Sequence, residues 1–180
     1  KWHDIKDQLK LIHPMMLYSA SAVQMPVDMK LAFTIESFRP LFECAVNYDP
    51  GFNAFVSNNK CYNNEHLKNA LKPQLKYYGK LILSSEMKYV NQFCSALVDS
   101  RNRIAHVDGQ GHEVYLDGSE SALYVSVLFI IYRIELLSML SISYQNIAQC
   151  SVESMIENTA YLIRTRNLFL QKLEKRYIAN

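Results

Sequence analysis

Residues 97–111, LVDSRNRIAHVDGQG, carry an arginine and a histidine five positions apart, where an apolar helical pattern runs into a glycine-rich turn. Upstream, Met87, Val90, Cys94 and Leu97 recur by threes and fours, the spacing of one buried stripe on an amphipathic helix. The next position on that stripe is Arg101. An unpaired guanidinium is costly to bury, so Arg101 must be paired, lie at a cleft or interface, or keep its head in water. Asp108, Gly109 and Gly111 supply turn chemistry, so this helix is expected to end close to His106. A helix of this kind, followed by a turn and a long apolar segment, predicts an all-α fold, an up-and-down bundle of about four to six helices.

C-terminal to the turn, HEVYL (112–116) reads as a short extended piece. Asp117 and Glu120 have the spacing of a capping box, and Ala122 to Leu140 is apolar on nearly all sides, as in a helix at the middle of a bundle or at a dimer interface. A last helix is expected from about Asn146 to Arg176, with Val152, Met155, Ile156, Thr159, Leu162, Ile163, Leu170 and Leu173 facing inward. Its basic end, Arg164, Arg166, Lys172, Lys175 and Arg176, suits the helix dipole and offers Arg164 and Arg166 as candidate RNA contacts.

N-terminal to the motif, Ser84 and Ser85 are placed to cap its helix. Glu65 opens another helical pattern with Leu67, Leu71, Leu75, Tyr78 and Ile82 inside, and Pro73 predicts a bend in it. On a neighbouring face Lys68, Lys72, Lys76 and Lys80 repeat every fourth residue. Such a stripe either tracks the phosphates of an RNA backbone or is a solvated face. Asn47 to Asn64 has no period and reads as the longest loop, with Phe52 and Phe55 tucked onto the core. Before it, Leu31, Ile35, Phe38, Phe42 and Ala45 mark a helix with Asp28 as N-cap, which Pro40 is expected to kink or break. The opening segment has helical phasing through Trp2, Ile5, Leu9 and Ile12, and Pro14 interrupts it or starts a second helix.

The 180 residues are 49% hydrophobic and 20% charged, with only 5 Gly and 5 Pro, which suits one helical domain with a sizeable core. We expect a lead-in over residues 1–26 and a core bundle over 27–180. A net charge of +2 is too small to indicate nucleic acid by itself. Cys44, Cys61, Cys94 and Cys150 form no CxxC pair, which argues against a zinc site or disulfide framework and for a reducing cytoplasm. The apolar run Ala122 to Ile131 is too short to span a bilayer. Because the chain begins at Lys1, it is expected to be one domain of a longer protein.

Arginine offers a fixed, permanently charged fork for a phosphate, and histidine exchanges protons near neutral pH. Together they suffice to cleave RNA without a metal or cofactor. His106 would take the proton of the ribose 2′-hydroxyl or give one to the leaving 5′-oxygen, while Arg101 stabilises charge on the phosphoryl oxygens. One histidine does not serve as acid and base in the same step, but two copies facing across a two-fold axis would supply both. Asn102 would orient the histidine or hold the phosphate. His112 lies within reach of the same turn, and Glu36, solvent-facing or paired, is a carboxylate that would orient Arg101 across the bundle. His3, His13 and His66 have no partners at ligand spacing and read as structural or solvent-facing.

The stretch DSRNRIAHVDG resembles the signature of the HEPN superfamily, an arginine and a polar residue followed by three variable residues and a histidine. The helices around it are most similar to the C-terminal HEPN domain of ApeA-type prokaryotic defence proteins. The resemblance implies an all-α bundle that dimerises through the motif helices, metal-independent endoribonuclease activity against invading phage, Arg101 and His106 as the catalytic pair, Asn102 as the supporting polar position, and a further N-terminal sensor domain. Two other classes remain open at this point: a non-catalytic helical dimerisation module in which Arg101 pairs with a carboxylate, and a nucleotide- or RNA-binding module restrained by a partner protein.

Overall fold

The computed structural model describes residues 1–21, 24–59, 62–106 (the His106 side chain excepted), 116–142 and 160–178. Among these there is no strand. The helices are α1 (Trp2–Gln8), α2 (Ile12–Ser21), α3 (Val27–Tyr48), α4 (Pro50–Ser57), α5 (Leu67–Tyr77), α6 (Val90–His106), α7 (Gly118–Met139) and α8 (Ala160–Ile178), with a 3-10 turn over Glu86–Tyr89 before α6. The fold is all-α. Five longer helices form the bundle, and α1, α2 and α4 are short pieces packed onto it.

Helix α3 is the hub, packed against α2, α5, α6 and, most extensively, α7. Its expected stripe is buried throughout: Leu31, Ile35, Phe38, Phe42 and Ala45 all face the core. Two expectations for it need correction. The helix starts after Pro26 with no side-chain cap, so Asp28 sits in the first turn, where its charge favours the helix dipole. Pro40 does not break it, because the proline lies on an exposed face where water can serve the carbonyl left without a donor.

The segment read as a loop, Asn47 to Asn64, contains α4. Asp49 caps it, its Oδ1 accepting from the Gly51 and Phe52 amides at 2.9 and 3.1 Å, and Pro50 occupies the first helical position. The other carboxylate oxygen accepts from Tyr78 Oη at 2.8 Å and Ser138 Oγ at 2.6 Å, so one side chain ties α4 to the ends of α5 and α7. Phe52 is fully buried, edge-on to Phe42 and stacked on Tyr78 with centroids 5.1 Å apart, as expected of an aromatic tucked onto the core. Helix α5 ends at Tyr77, short of Ile82, because the chain turns at Gly79. A Cβ there would lie 2.6 Å from the Leu75 carbonyl oxygen. Tyr78 and Ile82 are nonetheless buried.

Helix α7 begins with the expected capping box, Asp117 accepting from Ser119 and Glu120 amides and Glu120 accepting from the Asp117 amide. At 22 residues it is long and apolar enough to cross a bilayer by length and composition, longer than the run Ala122–Ile131 suggested. Of its most apolar window, 61% is buried in the bundle, where it serves as the central core helix. Helix α8 turns Thr165, Phe169 and Leu173 inward. Leu162 and Leu170 pack partly buried, but Ile163 is exposed, contrary to expectation, because the inward stripe steps by fours through 165, 169 and 173. Val152, Met155, Ile156 and Thr159 lie outside the described residues, as does HEVYL apart from Leu116. The lead-in forms two helices, with Pro14 in the first turn of α2; Ile5, Leu9 and Ile12 are buried and Trp2 is half-exposed.

Glu135, on α7, is fully buried with neither carboxylate oxygen hydrogen-bonded. Burial, reinforced by the nearby charge of Asp49, raises its pKa well above the usual carboxylate range. The native state therefore holds a proton that the unfolded chain releases. This stability is fully present below the ordinary glutamate pKa and is lost as pH rises through the folded value. Melts at pH 5 and pH 8 are expected to show Glu135→Gln raising Tm by a few degrees more at the higher pH. Equal shifts at both would contradict a neutral buried Glu135.

Candidate active site

The motif sits on the last two turns of α6. Cys94 and Leu97 are fully buried and Met87 and Val90 partly so, and Arg101 follows Leu97 on the same stripe as the helix leaves the core. Its side chain is 25% exposed. Arg101 Nη2 lies 2.7 Å from Glu36 Oε2 of α3, a charge contact without hydrogen-bond alignment, since that oxygen has no aligned donor. Nη1 donates to Asn102 Oδ1 at 3.0 Å. The guanidinium is thus held between a carboxylate on one helix and an amide on its own. Asn102 orients the arginine, where the sequence had suggested the histidine or the phosphate.

Helix α6 ends at His106, as the turn chemistry predicts. Position 106 lies one turn beyond Asn102 on the same helix face, about 7.5 Å along the axis from Arg101. The His106 imidazole and all of His112 lie outside the described residues. Ser100, buried beside the motif, donates to the Ala96 carbonyl at 2.7 Å and accepts from the Leu116 amide at 3.0 Å, fixing where the chain returns to α6.

Arg101 opens into a groove of about 270 Å³ lined by Met29, Phe33, Glu36, Ile104 and Ala105, with Met29 and Phe33 exposed. Their spacing, 29, 33 and 36, is a second stripe on α3 beside its core stripe, ending in the carboxylate. That signal was present in the sequence, although it did not say which arginine Glu36 faces.

The basic residues separate into different roles. Lys68 donates to Ser95 Oγ of α6 at 2.7 Å, and Lys76 donates to Tyr62 Oη at 3.1 Å with its ammonium 5.9 Å from that ring's centroid. Lys72 is half-buried, and Lys80 is exposed beyond the end of α5. Arg164 is exposed on α8, in a cleft with Tyr161, Lys172 and Lys175. Arg166 faces the other way. It donates from Nε and Nη2 to Glu86 at 2.8 and 2.6 Å and from Nη2 to the Ile82 carbonyl at 2.9 Å, so those donors serve the bundle and not a phosphate. Lys172 is paired with Glu120 at 2.5 Å.

Burial pushes the Cys94 thiol up to about 12 despite Lys68, Lys72 and Lys76 nearby, and burial with Glu135 does the same for Cys44. Both are protonated core thiols, not nucleophiles. Among the described residues no three His, Cys, Asp or Glu side chains come together to hold a metal. His13 hydrogen-bonds Tyr132 Oη, and His66 occupies the N-cap position of α5.

A family model described as Apea-like HEPN matches residues 28–146, from the first turn of α3 to just past α7. The chain belongs to the Apea-like HEPN family. The match covers about two thirds of the chain and contains the motif helix, Glu36 and the groove, while α1, α2 and α8 lie outside it. HEPN domains are generally ribonucleases, which makes this a nuclease-type HEPN module. No curated protein and no solved structure matches the chain.

Proposed function

We propose that this HEPN domain is a metal-independent endoribonuclease of a prokaryotic anti-phage defence protein, working in the cytoplasm as a homodimer with Arg101, Asn102 and His106 from both copies in one composite site. The observation that carries the reading is the arginine itself. It leaves a buried stripe at an open groove, with its planar fork held from two sides by Glu36 and Asn102. Pre-oriented donors of this kind stabilise charge on phosphoryl oxygens without reorganising during the reaction. In the step proposed, His106 of one copy removes the 2′-hydroxyl proton, O2′ bonds to phosphorus, and the P–O5′ bond breaks. His106 of the other copy protonates the departing oxygen, leaving a 2′,3′-cyclic phosphate.

Apolar Met29 and Phe33, exposed beside Arg101, support placing the second copy over this groove. Lys68, Lys72, Lys76, Lys80 and Arg164 are the side chains proposed to contact the RNA backbone away from the cut. A non-catalytic pairing module is the second reading, favoured by the Arg101–Glu36 contact, which is what a purely structural arginine also makes. The deciding experiment is cleavage of single-stranded RNA by purified protein in EDTA. Wild type is expected to cut and a folded His106→Ala to lose at least about a hundredfold in rate. Undiminished cleavage by His106→Ala would sink the catalytic reading.

A further inference from the structure

Beside the Arg101 groove, and sharing Ile104 with it as a wall, α3, α6 and the start of α7 enclose a second cavity of about 370 Å³. Leu31, Ile104 and Leu116 make its apolar surface. Asp28 and Arg103, both exposed, stand at its opening, and the space outside Gly118 is clear for 4 Å. Ser121 lines the cavity from α7. It is 1% exposed, and its Oγ has no hydrogen-bond partner. The contrast with Ser100 on the same cavity is informative, since that hydroxyl both donates and accepts within the protein. A buried hydroxyl without a partner costs about 1–3 kcal/mol, so one facing a cavity marks a place where something else completes the bond.

The chemistry of the opening is specific. A carboxylate accepts from two adjacent N–H groups, and a guanidinium donates to two adjacent acceptors. Guanine alone among the RNA bases presents both patterns: O6 beside N7 for an arginine, and N1–H beside the exocyclic N2 amine for a carboxylate. Adenine offers an acceptor at N1 where Asp28 requires a donor, and the pyrimidines lack the second acceptor edge. The apolar walls suit a flat ring, and Ser121 can bond its buried edge. Arg103 and Ile104 lie between Arg101 and His106 on α6, so a base seated here belongs to a nucleotide next to the scissile phosphate. We infer that this cavity is a guanine-selecting subsite, an inference that rests on the ribonuclease reading for its role in cleavage but not for binding.

Calorimetry of the whole chain with guanosine, adenosine, uridine and cytidine monophosphates tests the binding. The guanosine nucleotide is expected to bind at least about tenfold more tightly than the others. Asp28→Asn is expected to erase the preference and Ser121→Ala to weaken binding. Asp28 makes no cap bond, so its variant should fold normally. Equal affinity for all four, no binding of any (a water-filled cavity only), or a preference that survives Asp28→Asn would overturn the subsite. Mapping cut sites on random single-stranded RNA separates this inference from the nuclease reading. Cuts clustered beside guanine, and scattered by Asp28→Asn, support it. Cleavage indifferent to guanine overturns the subsite and leaves the nuclease reading standing. Guanine-selective binding by a chain that cuts no RNA supports the subsite and removes the nuclease reading.

Discussion

Arg101→Ala is expected to reduce RNA cleavage by roughly two to three orders of magnitude, the range for deleting one preorganised donor to a developing oxyanion. Arg101→Lys should recover little, because a point charge cannot reproduce a planar fork that contacts two phosphoryl oxygens. Glu36→Gln should cost about tenfold: the amide can still touch the guanidinium but no longer holds it by charge. The ordering matters because both partners are partly exposed, 25% for Arg101 and 40% for Glu36. An ion pair so placed contributes at most about 1 kcal/mol to stability after solvent screening. Loss of activity in these variants therefore cannot be assigned to unfolding, and circular dichroism melts alongside kcat/KM would verify it. If Arg101→Ala cut RNA as fast as wild type, the arginine would be a structural strut.

Arg166→Ala is expected to behave in the opposite way, unfolding the domain easily while leaving the chemistry untouched at permissive temperature. Its partner Glu86 is fully buried and also accepts from Tyr124 Oη at 2.9 Å, so one carboxylate joins the turn before α6 to α7 and α8. Removing the arginine strands that carboxylate, a change that typically costs about 3–5 kcal/mol. Against a typical total of about 5–15 kcal/mol this is a large fraction, and at this chain length it lowers Tm by roughly 10 °C. Replacing both partners, Glu86→Gln with Arg166→Met, should restore much of the loss, because the amide still accepts from Tyr124 and no charge is left alone. A fall of less than about 1 kcal/mol in Arg166→Ala, measured by urea unfolding, would show that Glu86 finds another partner.

These two arginines show what sequence carried and what it did not. Arg101 was legible as an anomaly, a charge in phase with Leu97 and Cys94, and the helix end at His106 followed from the glycines after it. The stripe of α3 and the capping box of α7 were legible for the same reason: each is a pattern within one element. Arg166 was only a basic residue near a helix end, because its partner lies 80 positions away and no local spacing announces a buried carboxylate at Glu86. Helix α4 was masked by its asparagines, although Asp49 followed by Pro50 is a cap and a first helical position. Ile163 was misplaced because the stripe of α8 was phased from residues upstream of the helix described. The Ser121 cavity was beyond reach, since it exists only where three helices meet.

Pro40 bears on the site as well as on the course of α3. Lacking an N–H, it leaves the carbonyl of Glu36, four residues earlier, without the rung that would stiffen that turn. The residue that steadies the Arg101 guanidinium therefore rides on a turn with one restoring spring removed. The anchor can yield by fractions of an ångström as a phosphate approaches, while the core stripe of the same helix stays fixed beneath it.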